Sequence, residues 1–447
     1  MEKLKVETIA ALATPPGRGG VAVIRVAGPL VPFIAETITQ KKLTPRYATH
    51  TAFFNETGDV LDDGLAIYFK APHSFTGDEV LELQGHGGPV VVDLVLQRVL
   101  ALGARLARPG EFSERAFLNG KMDLVQVEAV ADLIDAASTQ AAKLALKSLQ
   151  GDFSRAVHAL TESLIQLRLY LEAMIDFADE AVDYLSYDTV TARLNAIQAD
   201  LTRLLRDSQQ GSFLREGIHV VIAGEPNVGK SSLLNTLSGK ALAIVTPIAG
   251  TTRDVLRDHI LLDDLPVHII DTAGLRESDD IVEQEGIKRA RAEIESADLI
   301  LYLIDATRHD IDVEYKKATA AYPKQKLLMV VNKADLVSDA PALSSNQLLL
   351  SAKTGEGLPL LKQKIKTMVG FQPAGEGVFL ARRRHLDALT RAQTHLNTAA
   401  GLLKQANLIE LIAEEFTLAQ NSLSEITGEF TPDDLLGRIF STFCIGK

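Results

Sequence analysis

The chain has 447 residues and a formal net charge of −12; 46% of it is hydrophobic and only 5% aromatic. That length fits two or three domains, the acidity argues against generalised binding along a nucleic-acid backbone, and no apolar run approaches the ~20 residues of a membrane span. A single cysteine, Cys444, excludes an internal disulfide framework and suits a reducing cytosol.

The opening Met1-Glu2-Lys3-Leu4-Lys5-Val6 lacks the apolar core of a signal peptide, so a cytoplasmic location without membrane attachment is expected. Within residues 1–118, Val21 to Val26, Gly64 to Phe69 and Glu79 to Leu83 read as strands and Val90 to Leu102 as a helix. Such a mix predicts a compact α+β domain. The glycine-rich run from Thr14 to Gly20 leads into a strand, not a helix, and makes a poor phosphate cradle. His86, in Gln84-Gly85-His86-Gly87-Gly88, has no companion at ligand spacing, which points to turn chemistry rather than metal.

Residues 119–212 read as helical. Val157, Leu160, Leu164, Leu167, Leu171 and Met174 step by threes and fours, and Leu194, Ile197, Leu201 and Leu204 repeat the pattern until Gln209-Gln210-Gly211 is expected to break it. Leu386, Leu389, Leu396 and Leu403 resume the stripe in residues 377–447, followed by Leu408, Leu411, Ile412 and Leu418. One helical bundle built from both flanks, with residues 213–376 inserted at a loop, is the simplest packing; two separate hairpins are the alternative. Arg382-Arg383-Arg384 is a local basic patch that could meet RNA or simply face solvent.

The inserted segment carries the chemistry. Apolar Ile218 to Ala223 runs into Gly224-Glu225-Pro226-Asn227-Val228-Gly229-Lys230-Ser231, followed by helix-like Ser232 to Leu237. This strand, glycine loop and helix N-terminus match G-x-x-x-x-G-K-[ST], in which Lys230 would reach the β/γ-phosphates and Ser231 would hold Mg²⁺. In Ile248-Ala249-Gly250-Thr251-Thr252-Arg253-Asp254, Thr252 is the expected second Mg²⁺ hydroxyl. The strand Val267 to Ile270 ends in Asp271-Thr272-Ala273-Gly274, where Asp271 fits a carboxylate behind Mg²⁺ and the Gly274 N–H a γ-phosphate sensor. Leu327 to Val331 runs into Asn332-Lys333-Ala334-Asp335, whose Asp335 can accept both the N1–H and N2 amino protons of guanine and would be left unpaired by adenine. After Leu348 to Leu350 comes Ser351-Ala352-Lys353, whose backbone can contact the guanine carbonyl. The order of these motifs predicts an α/β Ras-like P-loop GTPase that binds GTP and Mg²⁺ through these segments, with Thr246 and Pro247 beside the Thr252 loop.

Leu275 stands where Ras-type proteins place a water-orienting glutamine. Another group must position water, and Glu283 is the candidate, the alternative being a solvated carboxylate. Arg253, in the Thr252 loop, is the other catalytic candidate of this segment. Asn227, with backbone carbonyls near Thr246 to Thr251, could hold a monovalent cation that replaces an arginine finger; K⁺ is then expected to accelerate turnover.

Thr14 to Gly20, Leu81 to Pro89, Arg108 to Lys121, the inserted GTPase and the terminal Phe443-Cys444-Ile445-Gly446-Lys447 together resemble the MnmE (TrmE) family of tRNA wobble-uridine modification GTPases, over the whole chain. The resemblance implies a multidomain homodimer: a tetrahydrofolate-binding and dimerising domain at 1–118, helical segments at 119–212 and 377–447, and a G domain at 213–376. It implies GTP, Mg²⁺, K⁺ and 5,10-methylene-tetrahydrofolate (5-formyl-tetrahydrofolate as an analogue), and a flavin-dependent partner, MnmG (GidA), with which an aminomethyl or carboxymethylaminomethyl group is installed on C5 of the wobble uridine of certain tRNAs. Carried over residue by residue, the K⁺ ligands are Asn227, Thr246, Ile248 and Thr251, the Mg²⁺ ligands Ser231 and Thr252, and the folate contacts Arg25, Glu82, Lys121 and Lys447. Family Cys444 is proposed to act near the modification site; the alternative is a small apolar residue continuing Leu435, Leu436, Ile439, Phe440 and Phe443. From the residues alone, an ordinary strand-surface pair is the favoured reading of Arg25 and Glu82. A switch in ribosome assembly or RNA binding is the other functional class the GTPase motifs allow. A septin-like polymer fits poorly with a GTPase inserted in a helical bundle.

Overall fold

In the computed structural model the described residues are 7–176, 186–238, 257–271, 294–308, 310–337, 342–372, 378–404, 408–429, 433–441, 443 and 446. By its internal contacts the chain divides into two compact units, one of residues 1–131, 148–197 and 391–447, the other of 132–147 and 198–390.

The first unit begins with a six-stranded sheet of β1 (Ile9–Leu12), β2 (Gly19–Ala27), β3 (Thr49–Phe54), β4 (Val60–Phe69), β5 (Val80–Gly87) and β6 (Arg105–Leu106), in the order β3-β4-β5-β2-β1-β6. All pairings are antiparallel except β1 with β6. Strand alternation sends Ile24, Val26, Leu81 and Leu83 to one face, where α1 (Val31–Thr39) and α2 (Pro89–Ala101) cover them with Ile34, Ile38, Val95 and Val99. Ile9, Ala11, Ala27 and Val80 cluster with Phe112 of α3 (Glu111–Leu118). The predicted α+β domain is present, with β1, β3 and β6 added to the strands expected from sequence. His86 lies in β5 rather than a turn: its Nδ1 is 2.7 Å from Asp62 Oδ1, a pairing that raises the imidazole pKa.

Further along come α4 (Leu124–Ile134), α5 (Thr139–Leu149), α6 (Asp152–Asp176) and α7 (Tyr187–Glu216). In the first unit α6 buries Val157, Leu160, Leu164, Leu167 and Leu171, as the stripe predicts. It packs on a helix from the far side of the inserted segment, Ile409–Thr427, with Arg168 Nη1 donating to Gln420 Oε1 at 2.7 Å. One helix from each flank therefore packs together in this unit. Within Ile409–Thr427 the buried stripe is Ile412, Phe416, Ala419, Leu423 and Ile426, while Leu411 and Leu418 are exposed, so two of the three apolar positions assigned there from sequence point outward. Asp433–Ser441 then packs against α3.

The expected break at Gln209-Gln210-Gly211 does not occur, since α7 continues to Glu216. A Cβ at Gly211 would overlap the Phe379 carbonyl, so this glycine serves close packing and not termination. Gly217, at φ 72°, is where the helix stops.

The second unit holds another six-stranded sheet, of β7 (Ile218–Gly224), β8 (Arg257–Leu262), β9 (Leu265–Asp271), β10 (Leu299–Asp305), β11 (Leu327–Asn332) and β12 (Gln347–Leu349), ordered β12-β11-β10-β7-β9-β8. Only β8 runs antiparallel to its neighbour. Both faces are buried, as a parallel sheet requires. Val220, Ile222, Leu301 and Val330 face α8 (Lys230–Ser238) and α10 (Leu358–Met368); Val221, Ala223, Ile300 and Met329 cluster with Ala318 of α9 (Ile311–Ala321).

Candidate functional site

In a doubly wound sheet ligands collect beyond the carboxyl ends of the strands, where strand order reverses. Central β7 ends at Gly224 and the chain then turns through Glu225 to Gly229 into α8. Gly224, Asn227 and Gly229 all have positive φ, 139°, 66° and 100°. A side chain at Gly229 would collide with Asn332 Nδ2, and one at Gly224 with the Leu303 carbonyl. Lys230 Nζ donates to the carbonyls of Gly224 at 2.6 Å and Glu225 at 3.2 Å, so its ammonium folds over the loop. Ser231, Ser232 and Asn227 are exposed beside it and Val228 is buried. Hydroxyl and amide oxygens of this kind suit Mg²⁺ and a monovalent cation.

Asn332, 2% exposed, is the hinge of the arrangement. Its Nδ2 donates to Val228 O at 2.8 Å and its Oδ1 accepts from Ala352 N at 2.9 Å, joining the phosphate loop to both candidate base loops. Ser351 Oγ donates to Asp335 Oδ1 at 2.6 Å, which orients the exposed carboxylate and leaves its other oxygen for a ligand donor. Lys353 is exposed on the same loop.

Two supports were not singled out in the sequence. Thr236 Oγ1 of α8 donates to Ala352 O at 2.7 Å. Asp305, at the end of β10, accepts from Lys333 Nζ at 2.5 Å and from the Thr307 hydroxyl at 2.8 Å. Burial alone would raise its pKa, but Lys333 and Thr307 outweigh that and bring it to about 2. An acid closing an apolar strand beside the phosphate-loop strand was the available signal.

Of the other GTP, Mg²⁺ and K⁺ candidates, Thr246, Pro247, Ile248, Ala249, Gly250, Thr251, Thr252, Thr272, Ala273 and Gly274 lie outside the described residues. So do Arg253, Glu283, Cys444 and Lys447. Asp271 closes β9 next to β7. Arg382 does not offer a free cation to RNA, because its Nη2 donates to Asp132 Oδ1 at 2.7 Å; Arg383 is the exposed member of that run.

In the first unit the β2–β5 register sets Arg25 opposite Glu82. Arg25 Nε and Nη2 both donate to Glu82 Oε1, at 3.0 and 2.9 Å, and the guanidinium lies 5.3 Å from the Phe75 ring and 5.8 Å from Phe112. The surface-pair reading of these residues therefore holds in geometry, yet the pair is partly buried and its guanidinium lies near two aromatic rings. Nearby, buried Asp78 Oδ2 and Arg115 Nη1 have no hydrogen bond among the described residues and stand 3.6 Å apart. Asn119 Nδ2 donates to Thr76 O at 2.7 Å and Lys121 Nζ to Pro72 O at 3.0 Å. Aromatic faces, two half-satisfied carboxylates and cations fit a pterin with its donor edge and an acidic tail.

A phosphate loop on the central strand, an N-K-x-D loop bonded to it and an S-A-K loop behind them define a P-loop GTPase of the Ras-like class. Comparison with known proteins narrows this. Residues 8–121 match the family model described as the GTP-binding protein TrmE N-terminus, and residues 124–444 the MnmE helical domain. The tRNA modification GTPase MnmE of Saccharophagus degradans is 57% identical over 454 residues, covering 99% of each chain, and that of Sodalis glossinidius 56% over 450 residues with the same coverage. Among solved structures, Era of Aquifex aeolicus bound to GDP·AlF4⁻ is 28% identical, covers 40% of this chain and 66% of its own, and superposes with a TM-score of 0.26. The chain belongs to the MnmE family of tRNA modification GTPases. It is a GTP-binding, GTP-hydrolysing enzyme.

Proposed function

We propose that this chain is the GTPase component of a tRNA wobble-uridine modification system. With a flavin-containing MnmG partner it installs an aminomethyl or carboxymethylaminomethyl group on C5, drawing the one-carbon unit from a tetrahydrofolate. The similarity to MnmE proteins along the full chain carries this reading, and the aromatic-flanked Arg25–Glu82 pair supports its folate part. Residues 1–118 form the folate-binding and dimerising domain of a cytoplasmic homodimer, 119–212 and 377–447 the helical domain, and 213–376 the G domain.

Within the G domain the segment Asn227 to Ser232 holds the phosphates, Ser231 and Thr252 hold Mg²⁺, and Asp335 with Ser351 to Lys353 reads guanine. Asn227, Thr246, Ile248 and Thr251 would hold K⁺, whose charge would take the place of an arginine finger. Glu283 positions water, with Arg253 near the phosphates. Arg25, Glu82, Lys121 and Lys447 hold the folate, and Cys444 works at the modification centre. GTP and K⁺ bring two G domains together, and hydrolysis releases them, gating chemistry elsewhere.

Reconstitution with MnmG, tRNA, a folate and GTP in K⁺ buffer tests this. Modified nucleoside should form only when every component is present. GTP turnover without any nucleoside product, under conditions where MnmG is active, would favour the ribosome-assembly switch.

A further inference from the structure

We propose that the groove lined by Pro45, Arg46, Lys70, Ala71 and His73 binds the γ-linked polyglutamate tail of a reduced folate. This rests on the folate reading of Arg25, Glu82 and Lys121 and extends it to a second set of residues. The groove has a volume of about 380 Å³, and Arg46, Lys70 and His73 are exposed along it. Among the described residues none of the three pairs with a carboxylate. Residues 37–55 carry Lys41, Lys42, Arg46 and His50 without an Asp or Glu, and 69–77 carry Lys70 and His73 without one. In a chain of net charge −12 this is a local field of the opposite sign, suited to a short polyanion.

One loop, residues 70–77, connects the groove to the folate candidates. Its Phe75 ring lies 5.3 Å from the Arg25 guanidinium, its Pro72 carbonyl accepts from Lys121, and its His73 carbonyl accepts from Arg46 Nη2 at 3.1 Å. Arg46 is built into place: it holds φ 62°, and its N–H donates to Tyr68 O at 2.7 Å. A ligand seated against Arg25 and Lys121 would thus send its acidic end along the same loop toward the Arg46 and Lys70 cations and the His73 imidazole. A few cations in one concavity match successive carboxylates better than an RNA backbone, which needs an extended basic track.

The test is calorimetric binding of 5-formyl-tetrahydrofolate mono- and pentaglutamate to the full chain, wild type and Arg46→Ser/Lys70→Ser, at low and high salt. GTP binding serves as the folding control. The pentaglutamate should bind about tenfold tighter at low salt, and the gain should vanish at high salt and in the double variant while monoglutamate affinity is unchanged. Equal wild-type affinities for the two ligands would overturn the groove assignment and leave the folate reading standing. Binding of neither, with GTP binding intact, would remove both. A double variant that keeps the tail gain but loses tRNA binding would make the groove an RNA contact instead.

Discussion

Asp335 has one oxygen fixed by the Ser351 hydroxyl and one left open, so the guanine-reading role proposed for it is a matter of two hydrogen bonds to a charged acceptor. Replacing it with asparagine turns one acceptor into a donor that opposes the guanine N2 amino group. Asp335→Asn is expected to weaken GTP binding about 10- to 100-fold, the worth of about 1.5–3 kcal/mol for a charged hydrogen bond, and to improve binding of xanthosine triphosphate, whose 2-oxo group accepts. Competition binding with both nucleotides checks this; unchanged preference for GTP would remove Asp335 from base recognition. The cation hypothesis belongs to the same scale. Asn227 is exposed on the loop at φ 66°, and if its amide helps hold K⁺, GTP turnover should be much faster in K⁺ than in Na⁺. Asn227→Ala should erase that difference, and equal wild-type rates in the two salts would refute the proposal.

At the level of elements, Gly211 decides between two readings of α7. Were it a helix breaker on a solvated face, Gly211→Ala would stabilise the chain by about 0.5–1 kcal/mol. Because Phe379 O occupies the space of a Cβ, the substitution should instead destabilise by about 1–3 kcal/mol, read as a lower melting temperature. The same helix shows what periodicity can carry. Leu194, Ile197, Leu201 and Leu204 announced their buried stripe because 3.6-residue spacing is a local property. Gly211 misled because its reason, a carbonyl from a segment far along the chain, is not local. In the helix Ile409–Thr427 the stripe was legible but its phase was not, since Leu411 and Ile412 are both apolar and only the packed neighbour selects Ile412. The candidate site divides likewise. The phosphate and base loops could be read from residue type and spacing, whereas the bonds of Asn332 to Val228 and Ala352 needed β7, β11 and β12, far apart in the chain, gathered into one sheet.

At the level of the whole molecule, buried carboxylates held ionised by neighbouring donors bear on acid stability. Glu111, 3% exposed, accepts from Arg105 Nη1 and Nη2 at 2.9 and 2.7 Å and from Arg108 N at 2.9 Å. Burial would raise its pKa, but these donors hold it at about 2, below the unfolded value near 4.3. A depressed folded pKa gives stability that is complete above the unfolded value and is lost as pH falls toward 2. The contribution is on the order of 1–3 kcal/mol near neutrality. Glu111→Gln should therefore lower stability at pH 7 and flatten its decline between pH 5 and 2 in denaturant melts. A parallel decline in both proteins would assign the acid sensitivity elsewhere.

The central claim is that a Ras-like GTPase inserted between helical segments serves nucleoside chemistry on tRNA. Mass spectrometry of tRNA nucleosides tests it most directly, using cells that lack this gene and are complemented with wild type or Asp335→Asn. The account predicts that C5 aminomethyl-type groups on the wobble uridine disappear with the gene, return with the wild-type chain, and return poorly with the variant. An unchanged nucleoside profile in cells lacking the gene would contradict it and leave a GTPase switch with another task.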